Sequence, residues 1–446
     1  MSLALSFPLQ VYFNSPLSAL LPYLGILLMF VLDSATASEN TPGVSNWNSG
    51  KPIRVLIIIY VALVVFQTAW QTIFKFISFY QGITAIAVFV FPAVFFLYFR
   101  KGVAEKEIRT ILIFIAVAGL IVGGYFAYDS ISKLVFHKVP EYNMYVHQYQ
   151  LGRLGDSIGE NPSRTSATSR SMGLLEKHTV SAAWISIGCF AALSLLPQHA
   201  IIQRVLGMTA YGVPLALGMN FTGLIGFLLV LLLFEFDGYS FVRGITDRRT
   251  LLKLFYSICA FIAAILIVSF FIDGGLIQAA HKVVKAQFEV ISGEHVSRVS
   301  GHGYFVDLLS ALVSFPGIIS KFPPAIILGD GFTPGFGVLA KGGDYGFLDT
   351  ICRLGVPLFV AVFAGFIRLI RRSFWQIRLL NSKEDIHANH LRFAASVMAY
   401  ILFAEIHYSV WSSKSILPIV FLCLAIFSSC LAPSTRRSSS VPNIVK

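Results

Sequence analysis

Along this chain the apolar residues fall in long unbroken blocks, not in a period of two, and polar residues collect between the blocks. Ten blocks stand out: Leu17 to Leu32, Ile53 to Ile73, Phe76 to Phe99, Ile111 to Ala127, Val180 to Leu196, Phe221 to Phe236, Leu251 to Ile272, Leu354 to Ile370, Phe393 to Phe403 with its flanks, and Ile416 to Leu431. Each is close to the ~20 apolar residues a helix needs to cross ~30 Å of hydrocarbon. A shorter block, Val205 to Met219, predicts one more. The pattern predicts an all-α polytopic membrane protein with about 11 transmembrane helices, within a range of 10–12. Nothing basic followed by a small-residue cleavage site precedes Leu17, so the first block reads as a retained span.

Composition agrees, with 56% hydrophobic residues, 13% charged residues and a mean hydropathy of +0.74. The net charge of +12 raises nucleic acid as a partner, and its distribution excludes it. Lys and Arg crowd into alternate loops: Arg100 to Arg109, Arg243 to Lys253, Arg368 to Arg392, and Arg436 to Lys446. That alternation places those loops and the C-terminal tail in the cytoplasm. Two long stretches then fall outside. The resulting organisation is 1–127 N-terminal membrane helices, 128–179 first outer loop, 180–272 central helices, 273–353 large outer loop, 354–431 C-terminal helices and 432–446 tail. The five cysteines have no CxxC or metal-like spacing, so neither metal nor cofactor is implied.

The outer loops hold the candidate chemistry. Arg164 and Arg170 lie among hydroxyl residues before a span. They read either as headgroup anchors or as planar forks for a diphosphate. The large loop carries an amphipathic pattern (Ile277, Val283, Val284, Phe288, Val290), then "RVSGHGY", then "LGDGFTPGFG" after Pro323 and Pro324, and last "GGDYGFLDTICRLGVP". A long loop this rich in Phe, Leu and Ile predicts short helices and turns over the membrane face. His302 reads as a base or a solvated turn residue, and Asp344 as a base or a helix cap. Glu405 and His407, near the outer end of a span, read as functional or as a mutually satisfied pair.

These elements resemble the O-antigen ligase and O-antigen polymerase superfamily of bacterial envelope glycosyltransferases. The resemblance rests on "RSMG" at Arg170 to Gly173, "SRVSG" around Arg298, "LGDGFTPGFG", and "DYGFLDTICRLGVP" leading into the next span, taken in that order. Ligases of the superfamily usually carry histidine where this chain has Asp344, and many members carry arginine where it has Phe221. The first departure points to the polymerase branch.

The resemblance implies an enzyme of the bacterial inner membrane. It would transfer a glycan from a polyprenyl diphosphate to a hydroxyl of another lipid-linked repeat, building O-antigen, capsule or exopolysaccharide on the periplasmic face. Asp344, His302 and His407 are then the candidate bases, and Arg170, Arg298 and Arg353 the diphosphate ligands. The partners implied are the lipid-linked donor and acceptor, the bilayer, a chain-length regulator and a flippase. Two alternatives stay open: a ligase transferring glycan to lipid A-core, and a lipid-linked oligosaccharide flippase or transporter. Transporters tend to show internal repeats and mid-membrane binding groups; no repeat is visible here.

Overall fold

The computed structural model describes residues 51–74, 77–93, 96, 105–146, 171, 173–175, 177–218, 220–236, 248–270, 278, 281, 325–329, 331, 346–380, 386–406 and 408–431. Among the described residues the regular structure is helical, with no strand. The helices are α1 Lys51–Ile73, α2 Phe79–Phe89, α3 Glu105–Leu134, α4 His178–Leu195, α5 Ile201–Leu217, α6 Phe221–Phe234, α7 Arg248–Phe270, α8 Ala325–Leu328, α9 Gly346–Leu354, α10 Val356–Leu380, α11 Ile386–Ala404 and α12 Leu417–Cys430.

Three of them contain a stretch long and apolar enough to cross a membrane: Ile53–Ile73, Glu107–Leu134 and His178–Leu195. Five others are apolar but shorter. Large apolar side chains stand exposed along whole faces, Val55, Ile58, Ile59, Phe66 and Trp70 on α1 and Phe255, Ile262, Leu266 and Ile267 on α7. Continuous exposed apolar faces of this size belong against lipid, not water.

Several boundaries differ from the hydropathy pattern. α3 continues to Leu134, about two turns beyond Ala127, because Asp129, Ser130, Ser132 and Lys133 are buried in the bundle. The expected span from Leu354 begins instead at Val356, since Leu354 closes α9 and Gly355 breaks the helix at φ 76°. The first block, Leu17 to Leu32, and the amphipathic pattern from Ile277 to Val290 lie outside the described residues, save positions 278 and 281.

α4 is the central helix, buried nearly all round and packed against α3, α5, α6 and α11. Its crossing with α3 is set by two glycines: a Cβ on either Gly119 or Gly188 would stand 2.7 Å from the other's Cα. Small residues let helix backbones approach where hydrophobic contrast with lipid gives no driving force. The hydroxyl of Tyr211 on α5 closes the triple contact by donating to Ala116 O at 2.8 Å.

Each end of the bundle holds a buried carboxylate. At one end Glu235, just past α6, receives Nε of Arg204 at 2.6 Å, a second bond from the same guanidinium, and Nζ of Lys253 at 2.8 Å. Arg204 also donates to Leu193 O and Leu196 O at 2.8 and 2.7 Å, which satisfies the last carbonyls of α4. α4, α5, α6 and α7 are thus clasped together. Lys253, counted in the sequence among the basic loop residues, is buried in this clasp. At the other end lies Glu405, just past α11.

Candidate functional site

The Glu405 end is built around α9, the described part of the polar stretch that precedes α10. Its helix turns an apolar face inward, burying Leu348, Thr350 and Leu354. Gly346 starts the helix because a Cβ there would collide with the backbone of Tyr408 and Ser409. Phe347 N donates to Glu405 O at 2.9 Å, joining α9 to the turn after α11. At the other end of α9, Gly355 sits against the carbonyl of Ile327 in α8, again with no room for a Cβ. Gln67 of α1 fastens both pieces, its Nε2 donating to Leu328 O and, at 2.9 Å, to Arg353 O.

Glu405 is 1% exposed. Its Oε1 accepts from the backbone N of Val410 at 2.8 Å and of Trp411 at 3.3 Å, and its Oε2 accepts from Thr350 Oγ1 at 2.9 Å. Thr350 Oγ1 also accepts from Trp411 Nε1 at 2.9 Å and lies 3.2 Å from Ser409 Oγ, which is 3.0 Å from Ser412 Oγ. Among the described residues no cation reaches the carboxylate; Arg353 pairs through Nε with Asp349 at 2.8 Å instead. Burial pushes Glu405 up to about 8, helped by the like charge of Asp349 and opposed by the hydrogen bonds from Thr350, Trp411 and Val410. A perturbed carboxyl beside hydroxyls and an arginine has the form of an acid–base site.

The end of the "RSMG" element is held at the same end of the bundle. Ser171 donates from Oγ to Asp129 Oδ2 at 2.9 Å and from N to Gly218 O at 3.4 Å. Asp129 also takes Asn143 Nδ2 at 2.7 Å and Lys133 Nζ at 3.0 Å. Gly173, at φ 79°, passes so close to Ser181 that no Cβ fits. Two contacts link this region to the Glu405 turn. The ring of His178, at the start of α4, meets Tyr408 edge to face at 5.5 Å, and Asn220 at the start of α6 donates from Nδ2 to His178 O at 3.3 Å. The described parts of both polar stretches therefore converge on one end.

Of the six residues assigned in the sequence as bases or diphosphate ligands, Arg353 is placed, half-buried on α9 with its carbonyl held by Gln67. Asp344, His302, His407, Arg170 and Arg298 lie outside the described residues. Thr350, Trp411, Ser409 and Gln67 escaped the sequence reading, because a threonine, a tryptophan or a glutamine beside an apolar run has no local mark of a partner tens of residues away. Glu405 was visible, but as a partner for His407; its described partners are Thr350 and two backbone amides. The chain matches no protein-family model and no curated protein.

Proposed function

We propose that the Glu405 end is the active site of an inner-membrane glycosyltransferase that polymerises polyprenyl-diphosphate-linked oligosaccharide repeats on the periplasmic face. The observation that carries this reading is a buried carboxylate with hydroxyl partners and an arginine one helical turn away, set where two long polar stretches meet the ends of apolar helices. Both substrates of such a reaction are amphiphiles. Their lipid tails hold the reacting sugars and phosphates at the membrane surface, which is where a site on helix ends, and not at mid-membrane, would be needed.

In this reading Arg353 contributes a permanent charge to the leaving diphosphate, alongside Arg170 and Arg298. The Asp349 carboxylate fixes the guanidinium on the helix, so the charge is oriented before substrate arrives. Asp344, His302 and His407 remain proposed contributors of proton-accepting groups.

The test has two parts. A cysteine at Lys414 should react with a membrane-impermeant maleimide added to intact spheroplasts, and one at Arg378 only after the membrane is opened. In cells, Arg353→Lys at matched membrane abundance should shorten or abolish the polysaccharide ladder on a gel, because an ammonium cannot reproduce the fork. Labelling of Lys414→Cys from the cytoplasmic side alone would remove the site from the glycan pool and end the reading.

A further inference from the structure

The hydroxyls above Glu405 have a direction that follows from counting protons. Thr350 has one hydroxyl hydrogen, and when Glu405 is ionised its carboxylate, which can then only accept, takes it at 2.9 Å. Trp411 Nε1 is donor only, so it uses one lone pair of Thr350. The remaining contact, Ser409 Oγ at 3.2 Å, must then run from serine to threonine. Ser409 has spent its hydrogen in turn, so the 3.0 Å contact runs from Ser412 to Ser409. Three hydroxyls thus point in series toward one buried carboxylate. Of the three hydroxyls only Ser409 is half-buried; Ser412, at 9% exposed, is buried, and Thr350 and Glu405 are fully enclosed.

A carboxylate placed only for stability would be expected to have a cation, as Glu235 has. The groups on the elements packed around Glu405 are Asp349 and Arg353 on α9, His178 on α4, Tyr60 on α1 through its ring contact with Trp411, and Tyr408 and Lys414 on its own loop. None of them bonds the carboxylate. His407 lies outside the described residues.

We propose that Ser412, Ser409 and Thr350 form a proton relay and that Glu405, in its ionised form, is its terminal acceptor, taking the proton of the attacking sugar hydroxyl. The inference rests on the glycosyltransferase reading and names the proton route within that site. As the acceptor oxygen forms its bond to the anomeric carbon, its proton passes to a serine oxygen, and each hydroxyl hands its own proton inward. Glu405 ends as a neutral acid. The bond from the anomeric carbon to the diphosphate breaks, and its electron pair leaves with the diphosphate. The proton on Glu405 returns to water by the same hydroxyls in reverse before the next addition.

The relay makes demands that a purely structural network does not. Thr350→Ser keeps a hydroxyl and should keep most activity, whereas Thr350→Val keeps the shape, breaks the series and should lower polymer yield about 100-fold or more, the usual contribution of a positioned acid–base group. Glu405→Gln should do the same while still accepting the amides of Val410 and Trp411. A second readout needs no substrate. Infrared spectra of the purified protein should show a protonated carboxyl that disappears as pH rises through about 8, is missing in Glu405→Gln, and exchanges with deuterated water far more slowly in Thr350→Val than in Thr350→Ser.

If the wild type proves inactive on lipid-linked glycans but the carboxyl titrates and its exchange depends on Thr350, the relay stands and the substrate reading fails. If the carboxyl is ionised throughout, exchanges equally in both Thr350 variants, or Thr350→Val polymerises normally at wild-type abundance, the relay is overturned.

Discussion

The two ends of the bundle each bury a glutamate just beyond a helix terminus, and they settle its charge in opposite ways. Burial alone would raise Glu235, but the guanidinium of Arg204 and the ammonium of Lys253, with Arg392 close enough to be felt, hold it down to about 2. Among the described residues Glu405 has only neutral donors, and burial pushes it up to about 8. A buried carboxylate saturated by cations is locked in one state. One held by hydroxyls and amides can change state near neutral pH, which is what acid–base work requires. In the proposed reading, one end serves construction and the other chemistry.

The largest expected effect breaks the constructed end. Glu235→Ala leaves Arg204 and Lys253 buried against each other, and removing one partner of a buried pair costs about 3–5 kcal/mol. Thermal unfolding in detergent should record it, or the protein should fail to accumulate. Glu405→Gln should cost much less, because the amide oxygen still accepts from the loop. Equal losses at the two ends would erase the distinction between them.

Next in size is the frame that holds the ends apart. Gly188→Leu drives a side chain into Gly119 and Tyr211, and forced overpacking costs about 1–3 kcal/mol. The same unfolding assay checks it; a neutral result would mean that α3 and α4 do not cross at these glycines.

Acidity separates the ends without any substitution. Between the ordinary value of 4.5 and about 8, folded Glu405 holds a proton that the unfolded chain has released, so its contribution to stability falls as pH rises through that window. Glu235 acts oppositely: its contribution is present above 4.5 and is lost as pH falls through about 2. The difference in unfolding midpoint between wild type and Glu405→Gln should therefore shift in favour of the variant as pH rises toward 8. A difference that stays constant across that range would remove Glu405 as a titrating group. The smallest stability effect should come from Arg353→Lys, which keeps the charge beside Asp349 and should change function alone.

How much of this could be read from the sequence depends on the distance over which each feature is encoded. Long apolar runs made α1, α3, α4 and α12 legible, since membrane length is a local property. The expected turns at Gly329 and Gly331 appear as positive-φ glycines for the same reason. The ends of helices were less legible. α3 runs on past its apolar stretch through Asp129 and Lys133 because Asp129 pairs with Lys133 and accepts from Asn143 and Ser171 there, and those two donors lie 14 and 42 residues away. The polar centres were the least legible. Arg204 to Glu235 spans 31 residues and Thr350 to Glu405 spans 55, and nothing near any of these positions marks the partner. Arg353 drew notice for its charge; Thr350, the residue that touches Glu405, had none to offer.

The measurement that bears most directly on the account is elongation by the purified protein in lipid nanodiscs, supplied with a polyprenyl-diphosphate-linked oligosaccharide and nothing else. Products lengthening by whole repeats, reduced by Arg353→Lys and about 100-fold or more by Glu405→Gln but unchanged by Arg378→Gln at the opposite end, are the expected result. No elongation by the wild type, or elongation indifferent to both Arg353→Lys and Glu405→Gln, would contradict it.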